Sequence, residues 1–173
     1  MYFKPKTFII ALLSLTSYCN TVYADSIESL NKTTLISSEN CVDNSGDIRS
    51  EREDITIGRE FFTSLINFRF NNFETENPIS ITCSLNNFSN PETFKLLFGI
   101  QDYTIQGKHE VIVNVYLDGK KAASNAMISG VGKTLLFDIN NIENIGIEAI
   151  CTYIETARCP DLHIVEASVT SNP

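Results

Sequence analysis

The sequence predicts an all-β fold, an antiparallel β-sandwich or jelly roll. Three observations carry that expectation: short apolar runs with a two-residue period, turn residues between the runs, and no sustained helical period. The clearest stretch is Phe94 to Met127. There Phe94, Leu96, Phe98 and Ile100 alternate with Lys95, Leu97 and Gly99, and Val111, Val113, Val115 and Leu117 alternate with Ile112, Asn114 and Tyr116. Successive strand side chains point to opposite faces, so a strand with one face in a core must show this period. Asp118-Gly119 then supplies the two positive φ angles of a type I′ hairpin turn.

The first 24 residues read as a secretory signal peptide. Lys4 and Lys6 form a basic start, Phe8 to Leu15 is apolar, and Val22-Tyr23-Ala24 offers a cleavage site after Ala24. The apolar run is shorter than the ~20 residues a membrane-spanning helix needs. Tyr18 stands where a lipidation signal wants a small residue, so Cys19 leaves with the leader. The expected product is secreted, to a periplasm or the external medium. About 150 residues remain, the size of one domain with an adequate core.

Residues 25–54 are polar and read as an extended N-terminal arm, with regular structure beginning near Ile55 and a binding domain over 55–173. Phe61–Phe70 is a strand whose alternation blurs at Leu65-Ile66, and Ile79–Leu85 alternates cleanly. Beyond the central hairpins, Thr134–Ile139, Ile145–Ile154 and Leu162–Val169 read as strands between turns. Strands at this spacing indicate a sandwich or jelly roll.

Four cysteines remain after the leader: Cys41, Cys83, Cys151 and Cys159. An even number in an exported chain argues for disulfides, and no C-x-x-C pair starts a zinc site. Of the three pairings, Cys151 with Cys159 and Cys41 with Cys83 is favoured. The net charge of −8 argues against nucleic acid, which demands clustered Lys and Arg. No metal and no cofactor is expected, no later segment is apolar enough for a membrane helix, and the oligomeric state is left open.

Several constellations have ordinary explanations. Gly130-Val131-Gly132-Lys133-Thr134 ends like a phosphate-binding loop, but Met127 stands where that motif needs glycine and a strand follows. Asp43, Ser45, Asp47 and Asp54 have calcium-loop spacing, but Ile48 occupies the position of the sharp-turn glycine, so a solvated acidic loop is expected. His109 and His163 lack sequence partners that specify a role, and there is no nucleophile elbow. Asp102, Asp118, Asp138 and Glu148 lie in turns or near strand ends, where solvated acids are common, so no enzyme is expected. Asp102-Tyr103 differs, because a tyrosine at a strand end offers a sugar a flat face and a hydroxyl, and Asp102 could accept from sugar hydroxyls. The plainer reading is a tyrosine covering the core edge.

From about Ile57 to Val169 the chain resembles the NPCBM-type module, a carbohydrate-binding jelly roll of the galactose-binding-like class. The matching features are Ile57-Gly58, Ser84-Leu85, Phe94-Lys95, Phe98-Gly99-Ile100-Gln101-Asp102, Gly107, Val113 through Gly119, Gly130, Leu136-Phe137-Asp138-Ile139 and Ile147-Glu148, in that order. They span most of the mature chain. The resemblance implies a non-catalytic binding module with glycan as ligand and a site in the loops at one end, with Asp102, Tyr103, Asp161 and His163 as contacts. The alternative is an exported protein-interaction module, an adhesin accessory or inhibitor that uses the same scaffold to hold a surface protein. One departure is notable. The family pattern ends with an Asp-Trp pair, but this chain has no Trp and places His163 to Ala167 there.

Overall fold

Alternating side chains need two layers to meet between, and the structure supplies them. The computed structural model describes residues 31–36, 39–45, 47–50, 52–70, 77–102, 110–152 and 159–171. In chain order the strands begin with β1 (Asn31–Thr34), β2 (Cys41–Asp43), β3 (Ile48–Arg49), β4 (Glu53–Ile57), β5 (Glu60–Ser64) and β6 (Ile66–Phe68). Then come β7 (Ile79–Ser84), β8 (Pro91–Ile100), β9 (Glu110–Leu117) and β10 (Lys120–Met127). The last are β11 (Gly132–Asp138), β12 (Asn144–Thr152) and β13 (Leu162–Ser171). All pairings are antiparallel. One sheet runs β11-β8-β13-β6-β3, with β1 also on β13; the other runs β10-β9-β12-β7-β2; β4 and β5 form a separate hairpin.

The residues expected to point inward do so. Phe94, Leu96, Phe98, Ile100, Val111, Val113 and Val115 are fully buried and form one core with Ile145, Ile147, Leu162, Ile164 and Val169. Asp118 and Gly119 both have positive φ (46° and 74°), as the hairpin between β9 and β10 requires. Both favoured disulfides are present. Cys41–Cys83 joins β2 to β7 at directly paired positions, and Cys151–Cys159 links the end of β12 to the approach to β13.

Two expectations need correction. Regular structure starts before Ile55, because β1, β2 and β3 precede it. These strands have two to four residues, too few to display a period, and they hold by backbone pairing to β13, β7 and β6. Phe61–Phe70 is two strands, with the blurred alternation at Leu65 marking the junction. β5 pairs with β4, whereas β6 lies in the large sheet, and the Leu65 N–H donates to the Ile164 carbonyl at 2.8 Å where the chain changes layers.

The hairpin covers the outer face of the first sheet. Strand pairing sets Arg49, Asn67, His163, Gly99 and Gly132 in one outward row across it. Ile57 lies on that row so closely that a Cβ added to Gly99 would fall 2.7 Å from its Cδ1 and 2.9 Å from the Val131 carbonyl. Ile55 and Ile57 are buried there, apart from the main core. The strand ends Phe68, Ile100, Gly132 and Leu162 of the first sheet and Glu110, Met127 and Thr152 of the second mark one end of the sandwich, the loop end.

Candidate functional site

Three of the four expected contacts meet at that end. Asp102 follows β8 and Asp161 precedes β13, both just beyond the paired residues Ile100 and Leu162, with His163 one step inside that pair, opposite Gly99. Tyr103 and His109 lie outside the described residues.

Asp102 works as a latch. Its N–H donates to the Thr56 carbonyl at 2.7 Å, and its carboxylate accepts from the Gly58 N–H (3.0 Å) and the Arg59 N–H (2.8 Å). Those donors form the hairpin tip, where Gly58 and Arg59 both have positive φ, an unfavourable geometry for Arg59. The Arg59 N–H, aided by the Gly58 N–H and the Thr56 hydroxyl, holds the carboxyl below its usual range against the opposing effect of partial burial. Gly130 completes the junction: a Cβ there would lie 2.7 Å from the same carboxylate.

His163 is buried beneath the hairpin. Its Nδ1 lies 3.2 Å from the Ser64 hydroxyl oxygen, and Ser64 donates to the Ile66 carbonyl at 2.9 Å. The serine proton is thereby committed, so the neutral ring carries its proton on Nδ1. Burial lowers the His163 pKa, with Glu53 opposing weakly. Asp161 is half-buried; burial raises its pKa and Glu53 adds to the rise, while Arg69, the Phe70 N–H and Arg49 oppose it.

Sequence reasoning missed Phe61. A Phe-Phe doublet in a strand must send its rings to opposite faces, and Phe61 is 85% exposed. It pairs with Thr56, whose carbonyl takes the Asp102 N–H, so the ring stands on the latched hairpin at the loop end. Ile128 and Val131 are also exposed, on the turn whose Gly130 carbonyl would lie 3.2 Å from a Cβ on Gly58.

A second feature lies on the outer face of the other sheet. Tyr116, Gly146 and Thr82 form one row across β9, β12 and β7, and Asn114, Glu148 and Ser80 form the next. Between them is an open depression of about 210 Å³. Glu148 Oε1 accepts from the Asn114 amide (2.8 Å) and the Tyr116 hydroxyl (2.9 Å). Burial, then Glu148, raises the Tyr116 pKa. The Lys121 ammonium stands 5.6 Å from the Tyr116 ring centroid, within cation–π range.

Elsewhere, polar groups serve the turns. Asp43 accepts from the Ser45 N–H and hydroxyl and from the Ile48 N–H, which shapes the β2–β3 turn. Lys133 and Thr134 sit in β11, so the glycine turn leads into a strand.

No family model matches the chain, and no curated protein matches it in sequence. Solved structures do match. The CBM51 module from Clostridium perfringens GH95, in complex with methyl-galactose, aligns with a TM-score of 0.58 at 13% identity, over 80% of this chain and 99% of that one. The CBM51-2 and INT domains of Clostridium perfringens ZmpB align with a TM-score of 0.57 at 15% identity, over 81% of this chain. The tandem CBM51 modules of Sp3GH98, a family 98 glycoside hydrolase from Streptococcus pneumoniae SP3-BS71, align with a TM-score of 0.55 at 14% identity, over 80% of this chain. The chain spans 31% of the ZmpB structure and 44% of the Sp3GH98 structure. The shared feature is the fold: an antiparallel β-sandwich of the jelly-roll kind, as the strand pattern led us to expect.

Proposed function

We propose that the mature protein is a secreted, non-catalytic carbohydrate-binding module that takes glycan at its loop end. The observation that carries this reading is Phe61, an 85% exposed aromatic ring fixed at that end by the Asp102 latch. An apolar face held on a rigid hairpin can stack on a sugar ring with little loss of rotamer freedom. It supplies a flat apolar surface at the loop end in a chain without tryptophan. Asp161, in the same neighbourhood, and Tyr103, which follows Asp102 in sequence, would engage sugar hydroxyls. Asp102, whose carboxylate accepts from the hairpin tip, and His163, whose Nδ1 meets the Ser64 hydroxyl, would hold the frame. A module of the same fold, matched over nearly its whole length, was solved with methyl-galactose. Secretion rests on the leader at 1–24 and on the two disulfides.

A glycan array probed with the mature chain, starting at Asp25, tests the reading. Binding to neutral oligosaccharides is expected, with dissociation constants at or below about 1 mM, or roughly −4 kcal/mol. No sugar bound at millimolar concentration would overturn it. The exposed trio Phe61, Ile128 and Val131 then favours the second reading, a protein-interaction module in which these side chains meet an apolar patch on a surface protein.

A further inference from the structure

The depression on the outer face of the second sheet lies away from the loop end. We infer that it is a second ligand site, which takes one uncharged pyranose ring through its hydroxyl groups.

The first ground is Gly146. Its φ is ordinary, and a Cβ there would meet Tyr116 at 3.4, 3.8 and 3.9 Å, which is normal contact. Neither backbone nor packing therefore demands glycine, yet glycine within a strand costs about 0.5–1 kcal/mol relative to alanine. What it leaves is an open floor beneath the depression, and a strand glycine often marks a place where a ligand approaches closely.

The second ground is how the polar groups are committed. Glu148 receives the Asn114 and Tyr116 hydrogen bonds on Oε1, which orients the carboxylate, and among the described residues no hydrogen bond reaches Oε2. Across the depression the Asn44 amide donates to the Thr82 hydroxyl (3.0 Å) and to the Ser80 hydroxyl (3.4 Å), leaving both hydroxyl protons free to donate outward. A carboxylate acceptor facing two hydroxyls, beside a tyrosine ring, suits a polyol with one apolar face.

Charge and size narrow the class. Glu148 and the net charge of −8 disfavour uronates, sialates and sulfated sugars. A volume of about 210 Å³ lies below the ~300 Å³ at which drug-sized pockets begin, so a single ring is the expected occupant.

The test is a two-dimensional amide NMR titration of the mature chain with methyl galactoside, methyl glucoside and methyl mannoside, and with glucuronate as an anionic control. Amides of Thr82, Gly146 and Glu148 should shift and saturate with at least one neutral glycoside, and glucuronate should leave them in place. Gly146→Ala should weaken that response about tenfold by raising the floor. Glu148→Gln should do the same, because Oε1 can still accept from Asn114 and Tyr116 while the outward oxygen becomes a donor. No groove shift up to about 50 mM of any neutral glycoside, at the weak end of the affinity scale, would refute the site. So would shifts that glucuronate reproduces or that both variants leave unchanged. Shifts confined to Arg59, Phe61 and Asp161 would refute the groove and keep the loop-end reading; shifts confined to the groove would do the reverse.

Discussion

The outer faces of the two sheets come from the same alternation and end in opposite conditions. On the first, the β4–β5 hairpin lies over His163, Asn67 and Gly99, and the polar groups there are turned inward: His163 is bonded to Ser64, and Ser64 to Ile66. On the second, no hairpin lies over Tyr116, Glu148, Ser80 and Thr82 among the described residues, and they line an open depression. A polar side chain on a sheet therefore says little about function until its covering is known. The covered face stabilises the hairpin that presents Phe61, and the open face keeps its hydrogen-bonding capacity for something outside the chain.

The contrast can be broken in several ways, beginning with the largest expected effect. The open sheet holds its edge strand β2 by the Cys41–Cys83 disulfide, with a sequence separation of 42. Replacing both cysteines with alanine should cost about 4 kcal/mol by the chain-entropy estimate, against about 2.5 kcal/mol for the eight-residue separation of Cys151–Cys159. Denaturant unfolding of the two double variants checks the order; equal losses would show that loop closure is not the deciding factor.

The two glycines should then respond to one substitution with opposite signs. Gly99→Ala drives a methyl against Ile57 and the Val131 carbonyl, and should destabilise by about 1–3 kcal/mol. Gly146→Ala meets only ordinary contacts, and should be neutral or stabilising by about 0.5–1 kcal/mol. Thermal melts of the pair read this directly.

Acid should distinguish the faces next. The folded His163 pKa is depressed below 6.5, so in that window the unfolded chain binds more protons. Stability should fall as pH drops below 6.5 and level off beneath the depressed folded value, with a slope of at most about 1.4 kcal/mol per pH unit. His163→Gln should flatten that limb. Asp161 acts in the opposite sense at lower pH: its raised folded pKa means stability is regained as pH falls through that value toward 3.8. Asp102, with a lowered pKa, contributes stability above 3.8 that is lost below it. The smallest effect belongs to Phe61→Ala, expected to change stability by no more than about 0.5 kcal/mol because the ring is exposed.

The central strands were legible because their burial is one-sided and long enough to show a period. Phe94 to Ile100 and Val111 to Val115 needed no tertiary information. β1 to β3 were hidden by their length, and the β5–β6 junction by a change of layer that leaves the apolar run almost unbroken. At the loop end, Asp102 and Asp161 were named together through the family resemblance, which implied a site in the loops at one end of the sandwich. That a hairpin covers His163 could not be read, since Ile55 and Ile57 belong to a strand pair with no local sign of where it docks. The groove depends on pairing β7 with β12, whose partners Ser80 and Glu148 are far apart in sequence, so its residues looked like solvated polar positions.

The loop-end reading is tested most directly by calorimetric titration of the best array sugar into wild-type protein and Phe61→Ala. A stacking ring predicts binding at least tenfold weaker in the variant, with an unchanged melting temperature. Equal affinities in the two proteins would contradict it.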